Sequence, residues 1–445
     1  MFVRRSAAVL AATAVIGTAF APAALADESP SPSPALPSGL YGSTDPTYDG
    51  VWRQSLALLA QHTVGVEPAA EAVDWLTGQQ CANGAFPAYR PDPATKCATR
   101  TRGAQGAQGA QDAQIPQADT NSTAAALQAL EALDAEDAVT GAAVKWLKTV
   151  QNGDGGWGYL PGGASDTNST SLVIGALEAA DTDTRDLRSK DDRTPYDALR
   201  GLSVPCDQDG GGAFAFQPDK KGGLAANADA TAAGVLGALG AGLVTDPEET
   251  GGTGGDDAKD TTCAGGDSPT PEQAAGNGAA YLAGAVAGTG HLESALAGAE
   301  DRPDHGNTAD AVVALAAAGR TADARKPLAW LKKNSGAWAA KSGPAAYAQL
   351  IFAAHATGAD PRDFGGADLV KQLGATGPAA RTADRSDAPA DGKDGKDDQQ
   401  NRQDGEGDGN GEDSGAGVWW IVGAGLVGGI GIGFLLSGRN KKQRP

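Results

Sequence analysis

SDTNSTSLVIGALEAA, from Ser165 to Ala180, has a near copy in ADTNSTAAALQALEAL, from Ala118 to Leu133: the DTNST start and the ALEA end recur in register. Self-similarity of this kind marks a repeat architecture. Divergent copies follow at Asn227 to Gly242, Gly306 to Gly319 and Pro344 to Gly358. The copies open on capping residues, Asp and Asn above all, whose side chains accept hydrogen bonds from the first free amides of a helix. They continue as apolar helices rich in Ala and Leu.

A second motif precedes these helices. Trp75, Leu76, Gln80, Gly84 and Phe86 have the same internal spacing as Trp146, Leu147, Gln151, Gly155 and Trp157. Tyr281, Leu282, Gly290 and Leu292 keep most of that spacing, Trp330, Leu331, Gly336 and Trp338 a shortened form, and Leu199 through Cys206 to Phe214 a degenerate one. The unit is a helix with an aromatic anchor, a Gly-containing loop ending in an aromatic, and a more apolar helix. An opening helix from Tyr48 to Gln61 and a closing one from Ala367 to Leu373 bring the expected total to twelve. Neither helix of a unit hides its apolar face alone, so units must stack. Six pairs that close on themselves leave no exposed end, which predicts an all-α α6/α6 toroid.

The run AAVKWLKTVQNGDGGW, Ala142 to Trp157, resembles the QW repeat of the terpenoid cyclase and prenyltransferase toroid superfamily. The resemblance covers Tyr48 to Thr376, within a toroid placed at 48–376. It implies six inner and six outer helices in an α/α barrel, with the loops after the aromatic motifs and the inner-helix starts gathered at one mouth.

Outside that span the chain carries address signals. Arg4 and Arg5 precede an apolar stretch from Ala7 to Ala24, and Ala24-Leu25-Ala26 leads to Asp27, which reads as a signal peptide over 1–26. A Pro/Ser-rich linker, 27–47, follows. Val418 to Ser437 has no charge, begins with Trp419 and Trp420, and precedes Arg439, Lys441, Lys442 and Arg444. About twenty apolar residues cross a hydrocarbon core of roughly 30 Å. We therefore expect a transmembrane helix over 417–437, with Trp at the outer interface and a basic cytoplasmic tail, 438–445. The acidic stretch 377–416 lacks apolar periodicity and reads as a disordered stalk. The expected location is the cell membrane, single-pass, with the toroid extracellular. A net charge of −20 with no compensating basic patch excludes nucleic acid as a partner. Four cysteines in a secreted chain read as disulfides, Cys81 with Cys97 and Cys206 with Cys263, each closing a loop beside one repeat; a zinc site is the alternative.

Catalytic signatures are missing from the sequence. It has no GxSxG elbow, HExxH helix or P-loop, and no Rossmann fingerprint placed between a strand and a helix. The resemblance would ask a squalene-type cyclase for a DxDD acid motif and many aromatics. Here the nearest acid cluster, Asp181-Thr182-Asp183, ends an inner helix, and aromatics are only 5% of residues. Prenyltransferase zinc ligands and a GCGEQ-like thioester motif are likewise absent.

What remains is a ring of polar groups at the inner-helix starts: Asp119, Asn121, Asp166, Asn168, Asn227, Asp229, His305, Asn307 and Asp310. Phe86, Tyr89, Trp157, Tyr159, Phe214 and Phe216 are their aromatic neighbours. Each polar residue alone reads as a helix cap; together, a few convergent polar groups against apolar walls describe a binding site. The barrel portion is also similar to that of the transcobalamin and intrinsic factor group. That likeness implies capture of a small ligand, cobalamin in its sharpest form, with His305, then His291, as candidate cobalt ligands. The β domain of that group has no counterpart here, so an extracellular partner protein, or a transporter, would complete the site. The alternatives are a polysaccharide lyase or glycosidase using Asp119 and Asp166 as acid and base, a terpene cyclase-like enzyme, and a structural surface module.

Overall fold

In the DTNST copies almost every side chain is small or apolar, so the helices they form can be surrounded by protein on all sides. In the computed structural model, which describes residues 36–46, 49–88, 97, 118–247, 263, 264, 266, 268–295 and 302–381, that is where they lie. Helices α1 (Gly50–Thr63), α3 (Thr120–Ala132), α5 (Thr167–Ala179), α7 (Ala228–Leu239), α9 (His305–Ala317) and α12 (Pro344–Ala356) each pack on the next, and α12 returns to α1. Six inner helices thus close a ring. Helix α3 is buried without a break from Thr120 to Leu130, as befits a helix apolar all round. Missing side chains allow the close approach. A Cβ on Gly237 would lie 2.4 Å from the Ser171 hydroxyl, and one on Gly234 2.5 Å from the Phe214 ring.

The outer helices bury only a stripe. Helix α4 (Asp137–Thr149) buries Thr140, Ala143, Trp146 and Leu147 and exposes its charges. The others outside the ring are α2 (Ala70–Gly78), α6 (Pro195–Leu202), α8 (Pro271–Ala287), α10 (Thr321–Asn334) and α13 (Leu369–Gly374). Thirteen α-helices are present among the described residues rather than twelve. The additional one, α11 (Gly336–Ser342), occupies the shortened loop before α12. A run of Ala with no Asp or second Gly to turn it continues the helical hydrogen bonding that a loop was expected to break. The opening helix begins at Gly50 rather than Tyr48, and the closing one at Leu369 rather than Ala367. A two-residue antiparallel ladder, β1 (Leu292–Glu293) with β2 (Pro303–Asp304), leads into α9.

The second motif is a device for tying loops to helices. Gln80 and Gln151 each donate to the carbonyl of the Gly four residues on, at 3.0 and 2.7 Å. Gly84 and Gly155 hold φ of +92° and +95°, a region that favours glycine. Their bare Cα atoms lie against backbone, where a Cβ would sit 2.2 Å from the Ala142 carbonyl oxygen and 2.1 Å from that of Thr194. The aromatic that ends the loop is then clamped. The amides of Phe86, Trp157, Phe214 and Leu292 donate to the hydroxyls of Thr123, Thr170, Thr231 and Thr308, at 2.9 to 3.0 Å. The same loops reach backward: the Tyr159 and Phe216 carbonyls accept from Thr120 and Thr167, the first residues of α3 and α5. Each of these loops therefore joins two neighbouring inner helices.

Residues 36–46, on the expected linker, pack onto the ring, with Tyr41 fully buried. Its hydroxyl shares its one proton between the Gln61 side-chain oxygen at 3.0 Å and the Pro378 carbonyl at 3.2 Å, and Gly42 donates to the Thr376 carbonyl at 2.8 Å. The packed region thus runs past both expected edges. The disulfides pair Cys81 with Cys97 and Cys206 with Cys263. The signal peptide, the transmembrane helix and the basic tail fall outside the described residues, as do all but the first residues of the stalk. Among the described residues no helix is long and apolar enough to cross a membrane.

Candidate functional site

The inner helices begin at one mouth of the ring, and there four of the polar residues act first as caps. Asp119 accepts from the Asn121 amide at 2.8 Å and from the Ser122 hydroxyl, and Asp166 from the Ser169 amide at 2.7 Å and its hydroxyl at 2.8 Å. Asn227 accepts from the Ala230 amide at 2.8 Å. The fourth cap is Asp304, which accepts from Asn307 through its amide at 3.0 Å and its side chain at 2.9 Å. The copy legible in the sequence starts at Gly306, with His305 as the polar residue before it, and leaves out Asp304. Its signal was the Thr four residues on: Asp119 with Thr123, Asp166 with Thr170, Asn227 with Thr231, Asp304 with Thr308.

A second tier joins neighbouring inner helices. The Asn168 side chain on α5 donates to Asp229 on α7 at 3.0 Å. Gln349 on α12, absent from the sequence-level set, donates to both oxygens of Asp310 on α9 at 3.2 Å. Asp229 and Asp310 are half-buried, with protein packed closely around their carboxyls. Desolvation pushes the carboxyl of Asp229 up to about 7 and that of Asp310 up to about 8; repulsion from Asp304 and Asp166 adds to the first, and from Asp229 and Asp304 to the second. Burial likewise raises Asp119 and Asp166 to about 6. Asp229 and Asp310 therefore hold protons near neutral pH, whereas Asp119 and Asp166 are mostly ionised there. Four buried amide atoms have no partner in the protein: both polar atoms of Asn121, the oxygen of Asn168 and the oxygen of Gln349.

The aromatic setting differs from the expected one. Phe86, Trp157 and Phe214 are fully buried behind the mouth, because their backbone amides are drawn onto the Thr clamps. Tyr159 is half-buried against Asp119, and burial beside that carboxyl pushes its hydroxyl up. Phe216 is half-buried, and Tyr89 lies outside the described residues. In their place stands a four-ring stack. His291 lies on Trp330 with ring centroids 4.5 Å apart, Trp330 lies 4.9 Å from His305, and His305 stacks on Trp338 at 5.4 Å. All four rings are half-buried. Gly306 brings the stack to the second tier, since a Cβ there would lie 3.5 Å from Gln349 and 3.6 Å from Trp338. Desolvation lowers the pKa of His305, which favours neutral imidazole. No group of three or more His, Cys, Asp or Glu that could hold a metal ion occurs among the described residues.

The opposite mouth, where the inner helices end, carries a cleft of about 850 Å³ lined in part by Leu59, Gln128, Glu131, Glu178, Gly240 and Ala317. The segment 241–247 runs beside it from α7. Leu243 donates to Gln128 on α3 at 2.8 Å, and Asp246 pairs with His355 on α12 at 2.8 Å.

No family model matches this chain, and no curated protein does. Sixteen solved chains are similar to it. One is a protein from Actinoplanes at 15% identity, covering 72% of this chain and 94% of that one, with a TM-score of 0.44. Another is ent-copalyl diphosphate synthase from Streptomyces platensis, at 14% identity over 69% of this chain and 50% of that one, with a TM-score of 0.43. A third is the type II terpene cyclase MstE from Scytonema, at 15% identity over 66% of this chain and 72% of that one, with a TM-score of 0.39. At such identities none of these activities passes to the present chain.

Proposed function

We propose that this chain is a non-catalytic capture protein, held at the outer face of the cell membrane, that takes a small ligand at the mouth where its inner helices begin. The observation that carries the reading is the unfilled hydrogen-bonding capacity of Asn121, Asn168 and Gln349 beside the His–Trp stack. Asp229 and Asp310, which keep protons near neutrality, add neutral donors and acceptors to this mouth. That chemistry suits a flat ligand with a fringe of neutral amides, and a corrinoid has that form. His305, neutral and half-buried, is the side chain here best suited to ligate cobalt. The sequence resemblance to the transcobalamin barrel supports the same choice, with a partner protein covering the exposed face of the ligand and a transporter receiving it. The oxygens of Asp119 and Asp166, the pair a lyase or glycosidase would use, are engaged in capping bonds, so capture is favoured over hydrolysis.

The test is calorimetric titration of the full chain with cobalamin and cobinamide. Saturable binding that weakens on Gln349→Ala or His305→Ala, with the helical circular dichroism retained, is the expected result. Absence of heat at any reachable concentration of either corrinoid would remove corrinoid capture by this chain alone.

A further inference from the structure

At the finishing mouth the cleft has an apolar floor, with Leu59, Leu239, Val244 and Ala275 among its walls, and a rim of four carboxylates, Glu131, Glu178, Asp246 and Glu272. Among the described residues no Lys or Arg lines it. Two of the acids have partners already: Asp246 meets the His355 ring at 2.8 Å and Glu272 the Arg185 guanidinium at 2.9 Å. The other two are available. The Glu131 carboxylate has no partner among the described residues, and Glu178, which also feels the Arg185 charge, uses one oxygen for the amide and hydroxyl of Thr184, leaving the second without a hydrogen bond. The inner helices finish at this end, and helix C-termini carry partial negative charge. Thr245 lines the same cleft at 8% exposure, and its buried hydroxyl has no hydrogen-bond partner. A buried hydroxyl left unpaired is costly unless something arrives to satisfy it.

We infer that this cleft is a second binding site, distinct from the opening mouth, for an alkylamine: an aliphatic body on the apolar floor with ammonium groups on Glu131 and Glu178. The same field repels anions. A bare divalent ion lacks the set of three close ligands it would need, since no such set occurs among the described residues. An organic cation satisfies the floor and the rim together.

The probe is spermidine, titrated calorimetrically into the full chain at physiological ionic strength. One saturable site is expected. Glu131→Gln and Glu178→Gln should each weaken it about tenfold, the loss of one charge-assisted contact at a partly exposed site. Ala179→Trp, an exposed position on the cleft wall, should abolish binding by filling the space. Asp310→Asn, at the other mouth, should leave it unchanged, so this result and the corrinoid result are read independently. Circular dichroism of each variant guards against misfolding. The inference is overturned if no saturable site is found, if both Gln variants bind as wild type, or if Mg²⁺ at matched ionic strength displaces spermidine equally well. The last result would mean a diffuse counterion on an acidic chain.

Discussion

Asp229 and Asp310 couple the mouth to pH, and the sign follows from their direction. Both carboxyls titrate higher in the folded chain, at about 7 and about 8, than the ordinary value of 3.8. The native state therefore binds more protons than the unfolded state between those values, and stability falls as pH rises through them. Wild type should show a melting temperature that climbs as pH is lowered from about 8 to about 6. Asp229→Asn combined with Asp310→Asn should flatten that slope, because Asn pairs with Asn168 and Gln349 without ever charging. A slope unchanged in the double variant would mean that the two acids ionise freely. His305 works against this trend, since its lowered pKa favours the neutral ring, so the comparison between chains is the one that isolates the carboxyls. The caps Asp119, Asp166 and Asn227 were legible in the sequence because capping is a local bond to an amide two or three residues on. Gln349 was not. It acts through Asp310, whose place opposite it depends on the ring closing, and no spacing along the chain records that.

Elements were read well wherever the loop chemistry was intact. The QNGDGGW loop works as a unit, and its Gly155 supplies a sharp test. Gly155→Ala forces a side chain to φ +95° and into the Thr194 carbonyl, so a loss of about 2–4 kcal/mol is expected from urea denaturation. Gly162→Ala is the control. Its φ is +79° but nothing lies within 4 Å of the added Cβ, so only the backbone strain should register, roughly 1 kcal/mol. Equal losses would show that the close contact with the next outer helix is not what fixes the glycine. Where the motif had decayed, the reading failed. The segment from Gly336 to Ser342 retains the Gly and Trp of the loop but not the residues that turn it, and it forms α11 instead. Trp338 then joins a stack with two histidines instead of burying itself as Trp157 does. The missed cap of the fourth copy, read as starting at Gly306, had a similar cause: His305 is conspicuous, whereas Asp304 is marked only by its distance to Thr308.

The whole ring depends on a seam that lies outside the repeats. Tyr41 fills the space beside Gly377, where an added Cβ would come within 2.3 Å of its ring, and its hydroxyl bridges Gln61 to Pro378. Arg381 pairs with Glu67 across the same junction at 2.7 Å. Tyr41→Ala should therefore cost about 3–5 kcal/mol, the usual range for emptying a buried aromatic site. It should also raise amide exchange first in α1 and α12, the helices that meet there. Uniform destabilisation with no such local signature would deny the seam its special part. Ring closure itself was legible from counting paired helices; the segment that locks it was not, since residues 36–46 carry Pro and Ser enough to pass for a linker.

A closed circle of helices whose two strands of entry and exit are stitched together has no privileged first member. The order α1, α3, α5, α7, α9, α12 is cyclic in space, and only the chain's covalent direction breaks it. A circular permutant that joins the segment near Gly42 to the one near Thr376, and is cut instead in the exposed stretch around Lys190 and Asp191, should regain the same ring. The starting point of the fold is thus a matter of how the polypeptide is written, while the structure needs only the neighbours.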